Sequence, residues 1–390
     1  MTFNTLDSFN FKGKRVLLRA DVNSDVDKGK VLMSERIKEA AITIKELIKK
    51  KAKVVILAHQ GNPGKEDFLS LKQHAVLLNQ FVKVKFIDDI VGPKALDAIN
   101  NLKNGEVLLL DNVRNLEEEL NPKKYPENRL SYILAPKFDI YINDAFSVCH
   151  RDHSSITVLP KVIKKHCAGR LTEKEIKALE KISIKDCLYI LGGAKPEENI
   201  KLLTGKKVLA CGLFGQLCLV ASGKNLGYQN EFLKKATLIK GDYKQFMDTL
   251  KGKLTNVELP IDFAVNQKKE RTEYDLSKFP LKYEIEDIGK KTQKKYIEMI
   301  KKAPAIYMKG PAGNTTERQY MEGTEAILKA AQECKGFTLV GGGHLSEVIA
   351  ELKLDPKKYG HISLSGGALL TYVAGEKLVG LEAIGIKQKL

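Results

Sequence analysis

The stretch RVLLRADVNSD, residues 15–25, predicts a buried strand that ends in a row of hydrogen-bonding groups. Arg19, Asp21 and Asn23 alternate there with small or apolar residues. Asp and Asn suit a turn, but the carboxyl ends of parallel strands are also where open α/β sheets hold their ligands. The stretch alone favours the turn, so its meaning depends on the rest of the chain.

Short apolar runs alternate with amphipathic stretches along the chain, which is typical of parallel sheets covered by helices on both faces. Strands are predicted over 14–20, 52–61, 84–89, 106–113, 138–146, 187–195, 206–215, 237–241, 255–265, 304–313 and 336–344. Helices are predicted over 35–51, 73–82, 93–102, 168–183, 290–303 and 322–333. A length of 390 residues suggests about two domains. We predict an α/β protein of two doubly wound, Rossmann-like parallel-sheet domains joined by a hinge helix.

The composition is that of a globular protein without a membrane span. Hydrophobic residues make up 43% of the chain and charged residues 29%, and no stretch approaches the roughly 18 uninterrupted apolar residues of a span. The first residues lack the apolar core of a secretion signal. Six cysteines form neither a CxxC pair nor a zinc pattern. We therefore expect reduced, buried cysteines and a cytoplasmic protein.

The net charge of +17 raises the question of nucleic-acid binding, for which clustered basic residues are the usual signal. The lysines are instead spread along polar helix faces, as in IKELIKKKAK at residues 44–53, so a solvated surface is the favoured interpretation. Only nine of the 65 basic residues are arginines. In so lysine-rich a chain, an arginine is expected where its planar fork is needed.

Polar and basic groups of the first half gather where strands end or the first helix begins. Because parallel strands share one carboxyl edge, these groups are expected to line one cleft. Arginine forks match carboxylate and phosphate groups, so the cleft is predicted to bind a small, highly anionic, hydroxylated molecule. The cluster consists of Arg19, Asp21, Asn23, Arg36, His59, Gln60, Gly61, Asn62, Arg114, His150, Arg151 and His153.

In the second half, strands are repeatedly followed by glycines, in GGAK at 192–195, GPAG at 310–313, GGGH at 341–344 and SGGA at 365–368. Glycine permits close backbone approach, and amide groups at a helix N-terminus favour phosphate. The absence of a GxxxxGK[ST] loop excludes a Walker-type site, and the absence of GxGxxG after the first strand weighs against a dinucleotide dehydrogenase. An anion site in one domain and a nucleotide site in the other predict a kinase that closes to exclude water.

These motifs, in this order, resemble those of the phosphoglycerate kinase family over essentially the whole chain. GGGH and AHQGNPGKEDF look like the archaeal branch of that family. The ordered set is RVLLRADVN, the pair Arg36-Ile37, HQGNPGK, LLLDNVR, NDAFSVCHRDHSS, LGGAK, DIG at 287–289, KGPAG, GGGH and HISLSGGA.

The resemblance implies reversible phosphoryl transfer between 1,3-bisphosphoglycerate and ADP, giving 3-phosphoglycerate and ATP in glycolysis and gluconeogenesis, with Mg²⁺ accompanying the nucleotide. It implies that residues 1–165 bind 3-phosphoglycerate, 166–183 form the hinge helix, 184–370 bind the nucleotide and 371–390 return to the first domain. It further implies a cytoplasmic monomer or weak homodimer with small-molecule substrates, and neither a specific nucleic acid nor a membrane as partner.

The roles of individual residues are carried over from the family's motifs. The expected substrate-binding residues are Arg19, Asp21, Asn23, Arg36, His59, Gln60, Gly61, Asn62, Arg114 and Arg151. The expected catalytic residues are Arg36, Lys195, Gly343 and Gly366. The expected nucleotide-binding residues are Gly192, Gly193, Lys195, Lys201, Gly212, Gly310, Pro311, Thr316, Glu317, Gly341, Gly342, Gly343 and His344. No protein metal ligand is expected, because nucleotide phosphates and water would hold the Mg²⁺.

Several positions depart from the family's usual pattern, most of them on the nucleotide side. Asn62 stands where an arginine is usual, and Lys309 replaces the asparagine of Asn-Gly-Pro. The glutamate that binds ribose falls on Thr316, with Glu317 next to it. The second lysine of the bacterial pattern is absent, and Lys201 is a candidate replacement.

Two alternatives stay open at this point. One is a catalytically weak phosphoglycerate-kinase-like binding protein with an eroded nucleotide site, which steady turnover of ATP with 3-phosphoglycerate would exclude. The other is a second, nucleic-acid-binding function that only the net charge supports. A salt-sensitive band shift that 3-phosphoglycerate does not displace would favour it.

Overall fold

The computed structural model describes residues 3–125, 128–182, 186–236, 239 and 241–388. The chain forms two compact units, one comprising Met1–Lys177 with Gly375–Leu390 and the other Ala178–Ala374. The boundary at 177/178 lies within the helix predicted to connect the domains. Most of the strand predicted over 237–241 lies outside the described residues.

The first unit is built on a parallel sheet. Its strands are β1 (Arg15–Ala20), β2 (Val26–Asp27), β3 (Lys30–Val31), β4 (Lys53–Leu57), β5 (Lys85–Ile87), β6 (Val107–Leu110), β7 (Ile140–Asp144) and β8 (His166–Ala168). Its helices are α1 (Glu35–Lys49), α2 (Lys72–Leu78), α3 (Pro93–Asn100), α4 (Glu117–Leu120) and α5 (Leu159–Val162), and α6 (Arg170–Lys181) crosses the boundary between the units. The sheet order is β5-β6-β4-β1-β7-β8, and β2 pairs with β3 in a separate hairpin.

Continuous apolar runs form the central strands of this sheet because both faces are covered. Val16, Leu17 and Leu18 of β1 are fully buried. Every neighbouring pair in the sheet is parallel. The carboxyl ends of these strands therefore meet at one edge, as the sequence predicts.

The second unit contains a parallel sheet and a smaller antiparallel one. Its strands are β9 (Cys187–Leu191), β10 (Val208–Ala210), β11 (Val257–Glu258), β12 (Asp262–Gln267), β13 (Glu270–Asp275), β14 (Glu284–Ile288), β15 (Ala305–Lys309), β16 (Phe337–Gly341) and β17 (His361–Ser363). Its helices are α7 (Pro196–Ile200), α8 (Gly212–Ala221), α9 (Tyr228–Ala236), α10 (Tyr243–Lys251), α11 (Lys290–Lys301), α12 (Glu322–Gln332), α13 (Gly343–Glu351) and α14 (Gly367–Val373). The parallel order is β11-β10-β9-β15-β16-β17, and the antiparallel order is β13-β12-β14.

The single strand predicted over 255–265 is wrong, because this segment contributes to both sheets. β11 pairs with β10 in the parallel sheet, whereas β12 pairs with β13 and β14. Pro260 lies between β11 and β12. Proline has no backbone N–H to donate to a ladder, so it favours a break between two strands.

The last helix, α15 (Val379–Ala383), belongs to the first unit. The amide of Gly380 donates a 2.8 Å hydrogen bond to the carbonyl of Cys149. A Cβ atom at Gly380 would come within 2.6 Å of Ile156 Cγ2, so glycine is needed for this close packing. The chain terminus thereby contacts the segment that follows β7.

Two predictions, one about the cysteines and one about membrane spans, can be compared with the structure. All six cysteines are free and five of them are buried, as expected from the sequence. None of the helices in the described part of the chain has the length and the apolar run that a bilayer crossing requires.

Candidate active site

A cluster of basic side chains lies at the carboxyl edge of the first unit's sheet, and we call it the basic site. It comprises Arg19 in β1, His59 after β4, Arg114 after β6, and Arg151 and His153 after β7. Nη2 of Arg19 lies 3.1 Å from Nδ1 of His59. Burial lowers the pKa of His59 well below its usual value, and the three arginines lower it further. The residues that the sequence predicts for this edge are thus brought together.

Arg114 is buried in the basic site with part of its guanidinium unpaired. Nη1 donates to the carbonyl of Gly61 at 2.5 Å and to Oδ1 of Asn62 at 2.9 Å. Nε and Nη2 are buried without a hydrogen-bond partner among the described residues. Burial lowers the pKa of Arg114 to about 10, and Arg19 and Arg151 add to the shift. A buried cation with two unused N–H groups is a site for an anion.

Arg36, Asp21 and Asn23 form a second part of the same edge. Nε of Arg36 lies 3.5 Å from Oδ2 of Asp21, and its Nη1 donates a 3.0 Å hydrogen bond to the carbonyl of Asn23. Oδ1 of Asn23 accepts a 2.8 Å hydrogen bond from the amide of Gly61. These contacts connect the loop after β1, the start of α1 and the loop after β4, which together form one wall of the basic site.

Gln60 occupies this wall, but its side chain points inward. It is fully buried, and its Oε1 accepts hydrogen bonds from the amide of Ser24 at 2.9 Å and from Nε2 of His74 at 3.0 Å. Its Nε2 donates to the carbonyl of Ser24 at 2.9 Å and to that of Asp67 at 3.2 Å. The side chain is therefore engaged within the protein, and its contacts fit a residue that holds the loops after β1 and β4 together.

Glu119 is a buried acid beneath the basic site that sequence reasoning missed. Its carboxylate accepts hydrogen bonds from the amide and the hydroxyl of Ser155 at 2.8 and 2.7 Å. The same hydroxyl accepts a 2.8 Å hydrogen bond from Nε of Arg19. Nδ1 of His153 lies 3.7 Å from the carboxylate. The run EEE at 117–119 resembles a solvated charge run, so only the tertiary structure shows that Glu119 supports Arg19 through Ser155.

Buried histidines are expected to contribute stability to the free protein that is lost below pH 6.5. Burial lowers the pKa of His74 to about 4 and that of His153 to about 3, the latter with help from Arg114 and Arg19. Unfolding restores a pKa near 6.5, so the unfolded chain binds more protons between these values. The stability contributed by these two histidines is therefore complete above pH 6.5 and is lost as the pH falls, by at most about 1.4 kcal/mol per pH unit for each histidine. The buried carboxyls of Asp144 and Asp287, whose pKa values are raised to about 6 and about 7, act in the opposite direction, so the comparison of variants isolates the histidine contribution.

Urea unfolding at several pH values between 8 and 5 measures this slope. A His74→Gln variant should show a shallower slope than the wild type, whatever its absolute stability. Equal slopes for the wild type and His74→Gln would contradict the prediction.

The second unit presents glycine loops at the carboxyl edge of its own parallel sheet. Gly192-Gly193 follows β9, Gly212 begins α8, Gly310 follows β15 and Gly343 begins α13. The N-cap residues of α8 and α13 make no side-chain hydrogen bond to the first helical turn. Backbone amides at such helix starts suit an anionic ligand, although the amide of Gly212 itself already donates to the carbonyl of Ala312 at 3.0 Å.

The glycines at this edge divide into two kinds. A Cβ atom at Gly192, Gly212 or Gly310 would collide with backbone of a neighbouring loop, so these glycines allow three loops to pack against each other. A Cβ atom at Gly343 or Gly366 would meet nothing within 4 Å. The space beside the second kind can take a ligand, whereas the first kind shapes the site.

A cavity of about 380 Å³ adjoins these loops. Apolar walls with a few polar groups are typical of small-molecule sites. Thr316 and Glu317, which are predicted to contact the ribose, are exposed. They directly follow Thr315, which lines the cavity. Burial raises the pKa of the lining carboxyl of Glu286, which accepts a 3.1 Å hydrogen bond from Nδ2 of Asn314. The lining residues are Gly193, Ala194, Gly212, Leu213, Gln216, Phe232, Glu284, Ile285, Glu286, Pro311, Gly313, Asn314, Thr315 and His344.

The residues predicted to lie beside the nucleotide's phosphates occupy different positions along the carboxyl edge of this sheet. Lys195 is the N-cap residue of α7 and Lys201 its C-cap residue, and both are exposed. Gly341 is buried at the end of β16, and Gly342 has a φ of 101°, which glycine adopts readily. Nε2 of His344 lies 2.8 Å from Oγ1 of Thr315. No group of three or more His, Cys, Asp or Glu side chains in the described part of the chain is arranged to hold a metal ion.

Comparison with known proteins identifies the family. The sequence profile of phosphoglycerate kinase matches residues 6–376. The chain belongs to the phosphoglycerate kinase family. It is 38% identical to the phosphoglycerate kinase of Sulfurisphaera tokodaii, over 97% of this chain and 95% of that protein. It is also 38% identical to that of Saccharolobus solfataricus, over 99% of this chain and 98% of the relative.

Solved phosphoglycerate kinases share the fold of this chain. The crystal structure of the enzyme from Pyrococcus horikoshii OT3 matches with a TM-score of 0.86 at 35% identity, covering 98% of both chains. The enzyme from Coxiella burnetii matches with a TM-score of 0.78 at 27% identity, covering 98% of this chain and 99% of that one. The predicted family, the fold class with two Rossmann-like parallel sheets, and the kinase class are confirmed.

Proposed function

We propose that this chain reversibly transfers a phosphoryl group between 1,3-bisphosphoglycerate and ADP, giving 3-phosphoglycerate and ATP. The chain matches the phosphoglycerate kinase family over nearly its full length, and this membership supports the proposed function. It does not favour the alternative of a catalytically weak binding protein. The observation in this chain that carries the proposal is the guanidinium of Arg114, buried among other arginines with two unpaired nitrogens.

The basic site is the proposed binding place for 3-phosphoglycerate. Arg114 and Arg151 are the proposed phosphate-binding cations, because each is partly buried and lies close enough to Arg19 for its pKa to be lowered. We assign the carboxylate and hydroxyl of the acid to Asp21, Asn23 and Arg36. Arg19 is wholly buried, so we assign it to positioning His59 through their 3.1 Å contact.

The glycine edge of the second unit is the proposed nucleotide site. Its cavity is lined by Phe232 and Ile285, which suit the flat face of a base, and by Glu284 and Glu286, which suit hydroxyl groups. The open glycines Gly343 and Gly366 are proposed to lie beside the phosphates. We keep Lys195 as the cation that follows the transferring phosphoryl group.

The proposed step joins a carboxylate oxygen of 3-phosphoglycerate to the γ-phosphorus of ATP. The bond from that phosphorus to the oxygen of the leaving ADP breaks, and the reverse reaction forms it again. Such a reaction requires positioning and charge neutralisation rather than covalent participation of the protein. Arg36 and Lys195 are the residues to which we assign the neutralisation of the transferring group.

The family uses ADP or ATP, typically with Mg²⁺. The loop after β16 offers amide N–H groups and the imidazole of His344, and these suit phosphate oxygens rather than a hard cation, which takes oxygen ligands. We therefore propose that Mg²⁺ enters with the nucleotide and is held mainly by its phosphates and by water. When bound, it neutralises charge on the phosphate oxygens.

The domain roles, the location and the oligomeric state belong to the same proposal. We propose that the first unit binds the acid, that the second binds the nucleotide, and that α6 is the hinge that allows the two ligands to meet. A helix shared by both units, with the boundary at 177/178, supports this role of α6. We further propose a cytoplasmic enzyme, monomeric or weakly dimeric, whose partners are its small-molecule substrates.

Isothermal calorimetry of ADP and of 3-phosphoglycerate, each alone, tests the proposal together with an assay of ATP turnover. We expect both ligands to bind separately and turnover to be steady when ATP and 3-phosphoglycerate are present. Binding of 3-phosphoglycerate without turnover would favour the weak binding protein. A protein that binds neither ligand would overturn the proposed function.

A further inference from the structure

Lys309 lies at the centre of the second unit's carboxyl edge. It is the last residue of β15, which pairs with β9 on one side and with β16 on the other. The register places it opposite Leu191 and Gly341, and each of these residues leads directly into a glycine loop. A ligand that contacts both loops therefore passes beside the end of β15.

The side chain of Lys309 is held close to this edge. It is only 12% exposed, and its Nζ lies 2.9 Å from Oε2 of Glu198. The same nitrogen donates a 3.1 Å hydrogen bond to Oδ1 of Asn199, whose Nδ2 donates to the carbonyl of Gly192 at 2.9 Å. Asn199 thus connects Lys309 to the Gly192 loop.

Lys309 is a mostly buried cation whose anionic partner, Glu198, is more exposed than the lysine itself. Burial lowers its pKa, Glu198 opposes that shift, and the positive charge of nearby Lys195 adds to it. Almost no lysine is buried in proteins without a charged partner. Glu198 is 37% exposed, so it can turn towards solvent when a stronger anion takes its place.

Lys201, the sequence candidate for a second nucleotide cation, has a different setting. It caps the far end of α7 and is exposed. Lys309 stands at a position where the family usually has an asparagine, so this chain carries an additional charge there. The buried lysine at the sheet edge is better placed than the exposed one to approach phosphates between the glycine loops.

We propose that Lys309 is a phosphate-binding residue of the nucleotide site and that Glu198 holds it until the nucleotide's phosphate chain displaces the carboxylate. The inference deepens the proposed function and rests on it. Lys309 supplies the second cation beside Lys195. Asn199 keeps the ammonium in position against the Gly192 loop during the exchange.

Calorimetric titration of ADP into Lys309→Met, Glu198→Gln and Lys309→Arg variants of the full chain tests this role. A hydrogen bond to a charged group contributes about 1.5–3 kcal/mol, so Lys309→Met should weaken ADP binding by about ten- to a hundredfold. Glu198→Gln removes the competing anion and should bind ADP as tightly as the wild type or more tightly. Lys309→Arg keeps the charge and should remain within about tenfold of the wild type.

Two controls make the outcomes distinct. Lys301→Met breaks an ion pair with Glu333 that lies at the amino end of β15, and it should leave ADP binding unchanged. The affinity for 3-phosphoglycerate should be unchanged in every variant. The proposed phosphate-binding role would be overturned if Lys309→Met bound ADP as tightly as the wild type. If Lys309→Met and Glu198→Gln also had lowered thermal stability, the pair of Lys309 and Glu198 would be a structural ion pair. A wild-type protein that binds no ADP would overturn the proposed function as well.

Discussion

An Arg36→Ala enzyme is expected to lose about a thousandfold in kcat while its KM for 3-phosphoglycerate rises by no more than about tenfold. The guanidinium is 24% exposed, 3.5 Å from Asp21 Oδ2 and 3.0 Å from the carbonyl of Asn23. These contacts hold it at the carboxyl edge of the sheet, where we propose that charge develops during the transfer. An interaction that strengthens in the transition state affects kcat far more than ground-state binding.

Steady-state kinetics in the direction of ATP consumption measure this split. Lys38 provides a matched control, because it is a cation on the same helix that pairs with Glu35 and is 47% exposed. Lys38→Ala should retain wild-type kinetics. Arg36→Lys keeps the positive charge beside buried Asp21 but loses the planar guanidinium. Its kcat should therefore lie between those of the wild type and Arg36→Ala. Near-normal turnover of Arg36→Ala would refute the assignment.

The parallel sheets were predictable because their central strands contain continuous apolar runs. RVLLRA, KVVIL and CLYIL are buried on both faces, and such runs between amphipathic helices have few other interpretations. The antiparallel sheet was not predictable in the same way. β13 reads ERTEYD and has no apolar run, and β12 and β14 are anchored by Phe263, Val265 and Ile285, which pack on Leu219 and Leu226. That packing is tertiary and leaves little trace in local sequence.

The same distinction applies to the candidate site. Arginines at strand ends indicate a shared edge, since parallel pairing alone brings them together. Sequence does not show which way a side chain turns after its strand ends. The sequence therefore does not show that the side chain of Gln60 bonds to Ser24 and His74, or that Glu119 is buried against Ser155. Glu286 lines the cavity of the second unit and belongs to β14, a strand that the sequence did not predict, so this residue was not recognised either.

Arg114→Gln is expected to weaken 3-phosphoglycerate binding by about a hundredfold without lowering the stability of the free protein. The loss of affinity follows from the loss of a buried cation with two unpaired N–H groups. Stability is retained because the guanidinium is destabilised in the free protein. Burial lowers its pKa to about 10, and Arg19 and Arg151 repel it.

Calorimetry of 3-phosphoglycerate and thermal unfolding of the ligand-free protein measure the two effects on one variant. Arg15 begins β1 and so lies at the opposite end of the strand that carries Arg19. Arg15→Gln should therefore leave the affinity unchanged. A structural arginine would give the reverse of the expected pair of results, with a lower unfolding temperature and unchanged affinity. Weaker binding with retained stability is the result expected of a cation whose unpaired nitrogens serve a ligand, because a buried arginine with a purely structural role would be paired within the protein.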